Sequence, residues 1–461
     1  MKDHTISNIS PSFFGFNINW FGFQRSYWDE QQNKVVESIT RSLKNDFSGA
    51  IYRYPGGSVA NRFNWESSIG PVEERSSQKP VSWHKPVISK FGYEEFIDFV
   101  NSVHGKPWIV NNLYGDYDKE KKIGILSKNA ENFVEYTLSR KQLIERWELG
   151  NELDRGKYRW PAEKYTTRAK KVGETIKSKD PNAVLVSMLR DYNVEGRGSG
   201  NEYNKILATN MAGFVNEFAL HQYYDGPPGG PSIPNRLTHI CSSIAEIKNE
   251  IKDDISIWIT EHGRWPHTTK PINWKIEWLQ TCNLESAISV ADYMIANSKL
   301  PEVKGAFIHA LSKHNGPWTL FHKVNGSIRP SLVYSSLRLL RNNMLPDVLD
   351  IAIQSKNVSN YFGNYDLRAS VQTNPKQTEY KIWVVNRAKD EALTTLIIPK
   401  LSSQIRNGVM LSLFDDDLNK NNLHTTEELL PINSNKQLVF NNNGETIIKI
   451  PGQSISVLSI H

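Results

Sequence analysis

The amino-acid sequence predicts an α/β protein: a (β/α)₈ TIM barrel followed by a C-terminal antiparallel β-sandwich. Between about residues 13 and 345, short apolar runs alternate with segments of helical periodicity, the pattern of parallel strands joined by helical crossovers. From about residue 346, short β-branched runs follow one another and are separated by Asn, Gly and Lys. We therefore expect a barrel domain over residues 12–345 and a β-sandwich domain over residues 346–461, to which residues 1–11 can add a strand.

Eight apolar runs are the candidate barrel strands. In chain order they are FFGFNIN (13–19), AIYRY (50–54), PWIVNN (107–112), ERWEL (145–149), AVLVSM (183–188), NEFALHQY (216–223), ISIWIT (255–260) and GAFIHAL (305–311). Eight such units favour a closed barrel over an open doubly wound sheet. An open sheet usually carries a glycine-rich phosphate turn after its first strand, and this sequence has none there.

Amphipathic segments separate these runs. The clearest begins at Pro161, shows apolar residues at three- and four-residue spacing, and stops at Asp180 and Pro181. Another predicted helix carries Cys241 on its apolar side, so we expect that thiol to be a small buried group rather than half of a disulfide.

Composition excludes several classes of function. The 461 residues include 55 basic and 49 acidic side chains, a net charge of +6, without the Lys/Arg block that nucleic-acid binding would require. No run of 18 apolar residues exists, so we expect no membrane span. The N-terminus lacks an apolar signal core, which fits either a cytoplasmic protein or one whose signal has been removed. Oligomeric state is not indicated.

Two of the candidate strands are followed by glutamates. Glu152 follows strand four in WELGNELDRG (147–156), and Glu261 follows strand seven in ISIWITEHG (255–263). In a (β/α)₈ barrel the carboxyl ends of the strands meet at one face, where strands four and seven lie nearly opposite each other. Two carboxylates across a barrel mouth suit cleavage of a glycosidic bond, because one protonates the leaving oxygen while the other attacks the anomeric carbon. A single glutamate at a strand end is more often a surface acid, but the pair favours catalysis.

Other polar residues near these positions refine the prediction. The amide of Asn151, one residue before Glu152, can hold the 2-hydroxyl of a sugar. Three histidines (His309, His314 and His322) match no closed zinc spacing, and chemistry with two glutamates requires no metal. We therefore expect no metal and no cofactor.

Several motifs resemble a known family. WELGNEL and ITEHG resemble the acid/base and nucleophile strands of clan A retaining glycoside hydrolases. The stretch IYRYPGGSVANRFNWESSIGPVEER (51–75) resembles a signature of glycoside hydrolase family 51, the α-L-arabinofuranosidases. FGYEEFIDFV and the terminal PGQSISVLSI agree, so that the resemblance spans most of the chain in separate pieces.

The resemblance implies a role for each matching residue. Glu152 corresponds to the general acid/base, Glu261 to the nucleophile, Asn151 to the residue that binds the 2-hydroxyl, Arg53 to the arginine that keeps the nucleophile ionised, and His221 and Tyr223 to the pair at the end of strand six. A buried core histidine is an equal alternative for His221. Trp65 and Trp83 follow the signature and are candidates either for sugar platforms or for core packing.

Some positions depart from the family pattern. The first strand of the family usually ends in a glutamate that grips the sugar, whereas Asn19 and Trp20 stand here, and Asn19 becomes the candidate contact. On strand eight the family often has a glutamine, whereas this chain has Ala310 beside His309. HGRWPH, after Glu261, could supply Arg264 and His267 to an acidic substrate or form a solvated loop.

We therefore expect a retaining glycoside hydrolase that acts on an oligosaccharide or polysaccharide by double displacement and resembles an α-L-arabinofuranosidase. The expected separation of the two carboxyl groups is about 5 to 5.5 Å. The alternatives are another clan A specificity (β-xylosidase, β-glucuronidase or endo-glycanase) and a non-catalytic carbohydrate-binding barrel.

Overall fold

Eight parallel strands close into a barrel, which confirms the predicted fold. The computed structural model describes residues 4–81, 84–116, 119–191, 200–227, 230–268, 271–355 and 366–461. Barrel strands one to eight are Phe14–Asn17, Ile51–Tyr54, Lys106–Asn111, Arg146–Leu149, Leu185–Met188, Glu217–Tyr224, Ser256–Arg264 and Val303–Ile308. Strand eight pairs with both strand seven and strand one, so the ring has no free edge.

Strands one and seven end at other positions than the sequence predicted, and both differences fall at the predicted site, whereas the end of strand four agrees. Strand one stops at Asn17, so Asn19 lies beyond it and begins a helix. Strand seven continues to Arg264, so Glu261 lies inside the strand rather than after it. Strand four stops at Leu149, and Glu152 lies in the following turn.

Nine helices surround the barrel in the described part of the chain. They are Trp20–Ser26, Glu37–Phe47, Tyr93–Ser102, Ile123–Ser139, Ala162–Lys179, Gly200–Met211, Ile233–Glu250, Leu284–Ser298 and Leu332–Asn342. Cys241 is exposed on its helix, which buries Ile240 and Ile244 instead, so the expectation of a buried thiol there was wrong. Among the described helices, none combines the length and the hydrophobicity needed to cross a lipid bilayer.

The C-terminal region is antiparallel, as predicted. A seven-stranded sheet has the spatial order Thr5–Asn8, Asp347–Leu349, Leu367–Thr373, Tyr380–Asn386, Ser454–Ile460, Ile405–Phe414 and Ile432–Val439. A second sheet pairs Ala392–Ile397 with Glu445–Ile450. We propose that the boundary between barrel and sandwich lies just before Asp347, with the N-terminal strand Thr5–Asn8 counted with the sandwich.

The centre of the larger sheet is buried on both of its faces. Alternate side chains of a strand point to opposite faces, so Ile455 and Val457 pack with the barrel core while Leu458 and Ile460 pack with the second sheet. Trp383 belongs to the barrel side and its ring lies 6.2 Å from that of Phe14, on barrel strand one. This explains why the last strand, Ser454–Ile460, is buried along its whole length.

Candidate active site

The polar side chains at the barrel mouth come from the carboxyl ends of six barrel strands or from the turns that follow them. These are strands one, two, four, six, seven and eight. Glu152 and Glu261, far apart in sequence, lie here with His221 between them. One potential ligand atom from each of these three side chains lies within 4.8 Å of the others. The fold therefore brings the two predicted carboxylates to one place.

Glu261 is buried and held by two donors. Arg53 Nη1 donates to Oε1 at 3.0 Å, and the Tyr223 hydroxyl donates to Oε2 at 3.0 Å. The register of strand seven against strand six shifts between Ile259 and Glu261, which re-aims the side chain at the mouth. Both carboxylate oxygens are thus fixed by the protein.

Arg53 is fully buried and uses all five of its N–H groups. Nε and Nη2 each donate to Glu148 at 2.7 Å, Nη1 donates to Asn17 at 2.9 Å and to Glu261, and Nη2 also donates to Asn151 at 2.8 Å. A guanidinium has no acceptor and five donors, so this set leaves it no freedom to rotate. Arg53 therefore ties strands one, two, four and seven together at the site.

Glu152 follows strand four in a strained turn. Its φ is +47°, in the left-handed region that non-glycine residues seldom adopt, which is a feature of functional sites. Asn61 clamps the preceding peptide, donating to the Asn151 carbonyl and accepting from the Asn151 N–H. The Glu152 side chain is 26% exposed, and its Oε1 accepts from His221 Nδ1 at 2.9 Å and lies 3.4 Å from Arg155 Nη1.

Charges at the barrel mouth lower the pKa of both carboxyl groups. Burial raises the pKa of Glu261, but His221 and Arg53 outweigh it, and the pKa lies below its usual range. Burial likewise raises the pKa of Glu152, but Arg155 and then His221 outweigh it. The site therefore holds the pKa of both carboxyl groups below the usual range.

His221 and Tyr223 project from alternate positions of strand six toward the mouth. His221 contacts Glu152 through Nδ1 and Thr260 Oγ1 through Nε2 at 3.0 Å, so both of its ring nitrogens are engaged. Burial raises the pKa of Tyr223 well above its usual value, so its hydroxyl stays protonated and remains a donor to Glu261. These contacts place His221 in the site rather than in the core.

Two of the other predicted contacts have structural roles. Trp65 is buried and stacks on Phe133 at 4.6 Å, with its Nε1 donating to the Asn129 carbonyl, so it packs in the core and is not a sugar platform. Asn19 caps a helix, because its side-chain oxygen accepts a hydrogen bond from the Gly22 N–H. Trp83 lies outside the described residues.

The HGRWPH segment also differs from expectation. Arg264 is buried and pairs with Glu285 at 2.7 Å, so it belongs neither to a solvated loop nor to the mouth. His267 is exposed. The side chain of this segment that reaches the site is Trp265, whose ring lies 5.5 Å from that of Tyr223.

Sequence reasoning missed an aromatic wall beside Glu261. Four half-buried rings, those of Tyr223, Trp265, Trp274 and Trp318, lie with centroids 5.1 to 5.6 Å apart in successive contacts. Partly exposed aromatic rings next to a carboxylate pair suit the apolar face of a sugar. The high aromatic content of the chain hinted at such a wall but could not locate it.

Four polar residues at the mouth were also missed as site residues: Asn17, Glu148, Arg155 and His309. Glu148 could have been identified from the alternation of side chains along strand four, since it lies two residues before Gly150 in WELGNELDRG. For Arg155 we find no sequence signal. His309 lies beside Glu261, while His314 and His322 do not join it in any group of potential metal ligands within the described residues.

Comparisons with known proteins agree with the geometry. A family model described as the α-L-arabinofuranosidase 1 domain matches residues 43–226, a stretch that includes Arg53, Glu152 and Tyr223. A curated relative from Bacillus subtilis, named intracellular exo-α-(1→5)-L-arabinofuranosidase 1, is 23% identical over 96% of this chain and 95% of its own.

Solved structures show the same architecture. An α-L-arabinofuranosidase from Thermotoga maritima, crystallised with arabinose, superposes with a TM-score of 0.81 at 16% identity and covers 99% of this chain and 98% of its own. A family 51 α-L-arabinofuranosidase from Thermotoga petrophila gives a TM-score of 0.77 at 17% identity, with 99% and 98% covered. At such identities the likeness is one of fold. Taken with the matched family model and the relative aligned along nearly its whole length, it makes the chain a retaining glycoside hydrolase similar to the α-L-arabinofuranosidases of family 51.

Proposed function

We propose that this protein releases L-arabinofuranose from an arabinose-containing oligosaccharide or polysaccharide, with Glu261 as nucleophile and Glu152 as general acid/base. The observation that carries the proposal is the close approach of the two carboxylates, whose nearest oxygens are within 4.8 Å. Retaining glycosidases hold the pair about 5 to 5.5 Å apart, whereas inverting enzymes need about 6.5 to 9.5 Å to admit a water.

The proposed reaction has two steps. Ionised Glu261 attacks the anomeric carbon while Glu152 transfers its proton to the leaving oxygen, which leaves a glycosyl ester on Glu261. Glu152, now ionised, then removes a proton from water, and the water oxygen displaces Glu261 from the same carbon. Two inversions give net retention.

The surrounding residues support these roles. Arg53 and Tyr223 keep both oxygens of Glu261 oriented for attack and stabilise its negative charge. His221 contacts Glu152 and fixes the position of its carboxyl group. Asn151 accepts a hydrogen bond from Arg53 through Oδ1. Its buried Nδ2 has no partner among the described residues, and we assign that donor to the sugar 2-hydroxyl.

The choice of arabinofuranose rests on the matched family and on the names of the relatives. The Bacillus subtilis relative is named for exo action on α-(1→5) linkages and as intracellular, and we propose the same mode and a cytoplasmic location here. The absence of a glutamate at Asn19 leaves β-xylosidase, β-glucuronidase and endo-glycanase activity as the alternatives to be tested.

The experiment compares wild type with Glu152→Gln and Glu261→Gln on 4-nitrophenyl α-L-arabinofuranoside, within a panel of aryl glycosides. We expect each variant to lose roughly a thousandfold or more in kcat. Because 2,4-dinitrophenolate leaves without protonation, its arabinofuranoside should restore the glycosylation step of Glu152→Gln but not that of Glu261→Gln. Turnover left intact by either substitution would refute the assignment.

A matched control is available in the same barrel. Glu217→Gln changes a part-buried glutamate at the opposite, amino end of strand six, where it pairs with Arg146. This variant should keep its turnover. Hydrolysis of a different aryl glycoside in the panel, with both glutamates still required, would retain the mechanism and replace the sugar.

A further inference from the structure

His309 occupies the floor of the mouth beside the proposed nucleophile. It follows strand eight, and its Nδ1 lies 3.5 Å from Glu261 Oε2. The ring packs edge-on against Trp318 at 5.3 Å and against Tyr223 at 5.9 Å, and 22% of the side chain is exposed. The imidazole therefore faces the space above Glu261.

The proton on this ring is located by its neighbours. Arg53 has only N–H donors, so Asn17 must present its Oδ1 to Nη1, at 2.9 Å. The Asn17 amide nitrogen then faces His309 Nδ1 at 3.0 Å. Since the amide nitrogen only donates, Nδ1 must accept, and a neutral imidazole that accepts at Nδ1 carries its proton on Nε2.

Glu261 favours a proton on Nδ1 instead of Nε2, but its influence on the ring is weaker than that of Asn17. A proton on Nδ1 could reach Oε2 only across 3.5 Å, at the limit of a hydrogen bond, and would face the Asn17 N–H at 3.0 Å. Burial, together with His221 and Arg53, outweighs the two glutamates and holds the pKa of His309 below its usual value, so the ring stays neutral. Turning the Asn17 amide over would set its NH₂ group against the guanidinium.

We propose that the Nε2–H of His309 donates a hydrogen bond to a hydroxyl oxygen of the sugar held over Glu261, which makes His309 a specificity-determining residue of this enzyme. Among the described residues Nε2 has no hydrogen-bond partner, although the other ring nitrogen is fixed. A single donor with one direction selects for the position of that hydroxyl, because a sugar lacking it leaves the donor unpaired. The inference rests on the proposed function and deepens it.

The test pairs His309→Phe with monodeoxy substrates. Kinetics of wild type and variant are compared on the aryl glycoside that the wild type hydrolyses and on its 2-, 3- and 5-deoxy forms. We expect one deoxy form to lose roughly tenfold in kcat/KM with wild type, and His309→Phe to abolish the loss at that position alone. The intrinsic reactivity of each deoxy substrate cancels, because the same substrate is compared in wild type and variant. An equal loss of kcat/KM in both proteins for every deoxy substrate would overturn the proposal.

Two further measurements keep the test decisive. Nitrogen-15 spectra of the side chains should place the His309 proton on Nε2 in the free enzyme, and a proton on Nδ1 would overturn the inference regardless of any kinetic result. His314→Phe, a substitution in the following loop, should leave all deoxy penalties unchanged, whereas His309→Gln should restore part of the selectivity. Failure of the proposed function is distinguishable, since it would show as turnover that survives Glu152→Gln or Glu261→Gln.

Discussion

Arg53 donates hydrogen bonds to two carboxylates at once, those of Glu148 and Glu261. Glu148 takes two of its N–H groups and Glu261 takes one, and Glu148 also accepts from Trp108 Nε1 at 2.7 Å. Glu148 is as deeply buried as Arg53, so solvent screens little of this interaction. We therefore infer that Glu148 is a positioning residue, because it shares the charge of Arg53 with the proposed nucleophile.

Replacing Glu148 tests that division. In Glu148→Gln, Glu261 is the one carboxylate still bound to the Arg53 guanidinium. The pKa of Glu261 therefore falls further, and its carboxylate becomes a poorer nucleophile. We expect kcat to fall roughly tenfold and the acid limb of kcat/KM to move to lower pH. Rate profiles between about pH 3 and 8 measure both effects.

The chain contains a matched control for this substitution. Glu217 also accepts from an arginine (Arg146) and from an indole (Trp258 Nε1, 2.7 Å), but at the opposite end of the barrel. Glu217→Gln should change the free energy of unfolding without moving the acid limb. An equal shift of the limb in both variants would show a general electrostatic effect and contradict the role assigned to Glu148.

Arg155 sets the protonation of the proposed acid. Its guanidinium lowers the pKa of Glu152 in the free enzyme, so the protonated form that glycosylation requires is lost at lower pH than for an unperturbed glutamate. In Arg155→Gln this lowering is removed and the pKa of Glu152 rises. The alkaline limb of kcat/KM should therefore move to higher pH, and a limb that stays in place would refute the assignment of Glu152 as acid.

At the scale of the element, strand seven explains how neighbours in sequence take opposite roles. Glu261 points into the mouth, while His262 points outward toward helix Leu284–Ser298, stacks on Tyr293 at 5.1 Å and contacts the Tyr224 hydroxyl at 2.9 Å. Alternation along a strand demands this division. One strand thus contributes both the proposed nucleophile and a buried neutral imidazole.

Burial of His262 makes stability depend on pH. Burial lowers its pKa to about 3, and it lowers that of buried His322 to about 4, so both stay neutral in the folded protein. An unfolded histidine takes up a proton below about pH 6.5, so stability is full above that value and falls as pH decreases toward the folded pKa values.

The expected slope approaches about 1.4 kcal/mol per pH unit for each histidine in the lower part of this range. Unfolding by denaturant between about pH 6.5 and 5, above the usual titration of carboxylates, isolates the effect. His262→Gln should reduce the slope of unfolding free energy against pH. A slope unchanged by the substitution would mean that the imidazole is charged in the fold.

At the scale of the whole molecule, the sandwich is tied to the barrel by ions as well as by apolar packing. Arg387, after strand Tyr380–Asn386, contacts both Asp225, which follows strand six, and Asp292 on helix Leu284–Ser298, each at 2.7 Å. Arg368 also contacts Asp292. Because Asp225 lies two residues beyond Tyr223, the sandwich supports the segment that leads from the mouth.

Removing Arg387 tests this coupling. Arg387→Met leaves the buried Asp292 with one fewer cation, and we expect a loss of about 2 to 4 kcal/mol in the free energy of unfolding. Lys449→Met, which breaks the exposed contact with Glu391, is the control and should cost no more than about 0.5 kcal/mol. Calorimetry should show a single transition for wild type, and equal costs for the two variants would contradict an ionic tie between the regions.

Periodicity and strand-end chemistry were sufficient to predict the barrel, the sandwich and the pair of glutamates. Apolar alternation reports which face of a strand is buried, and parallel strands joined by helices must bring their carboxyl ends to one edge. Asn151 was identified from its place after strand four, whereas Arg53, His221 and Tyr223 were predicted from the resemblance to family 51. Trp65 failed because a tryptophan in a loop gives no periodic signal of the side it faces.

The sequence alone was enough to establish that two acids would face each other, because this follows from chain topology and needs no distances. Three-dimensional packing was needed to show that Arg53 is shared with Glu148, that Arg155 lowers the pKa of Glu152, and that Asn17 orients the His309 ring. The contacts of Arg53 and Asn17 join residues from different strands or from the turns after them, and such a hydrogen bond forms only when donor and acceptor come within about 3 Å. A pattern read along one strand carries no information about them.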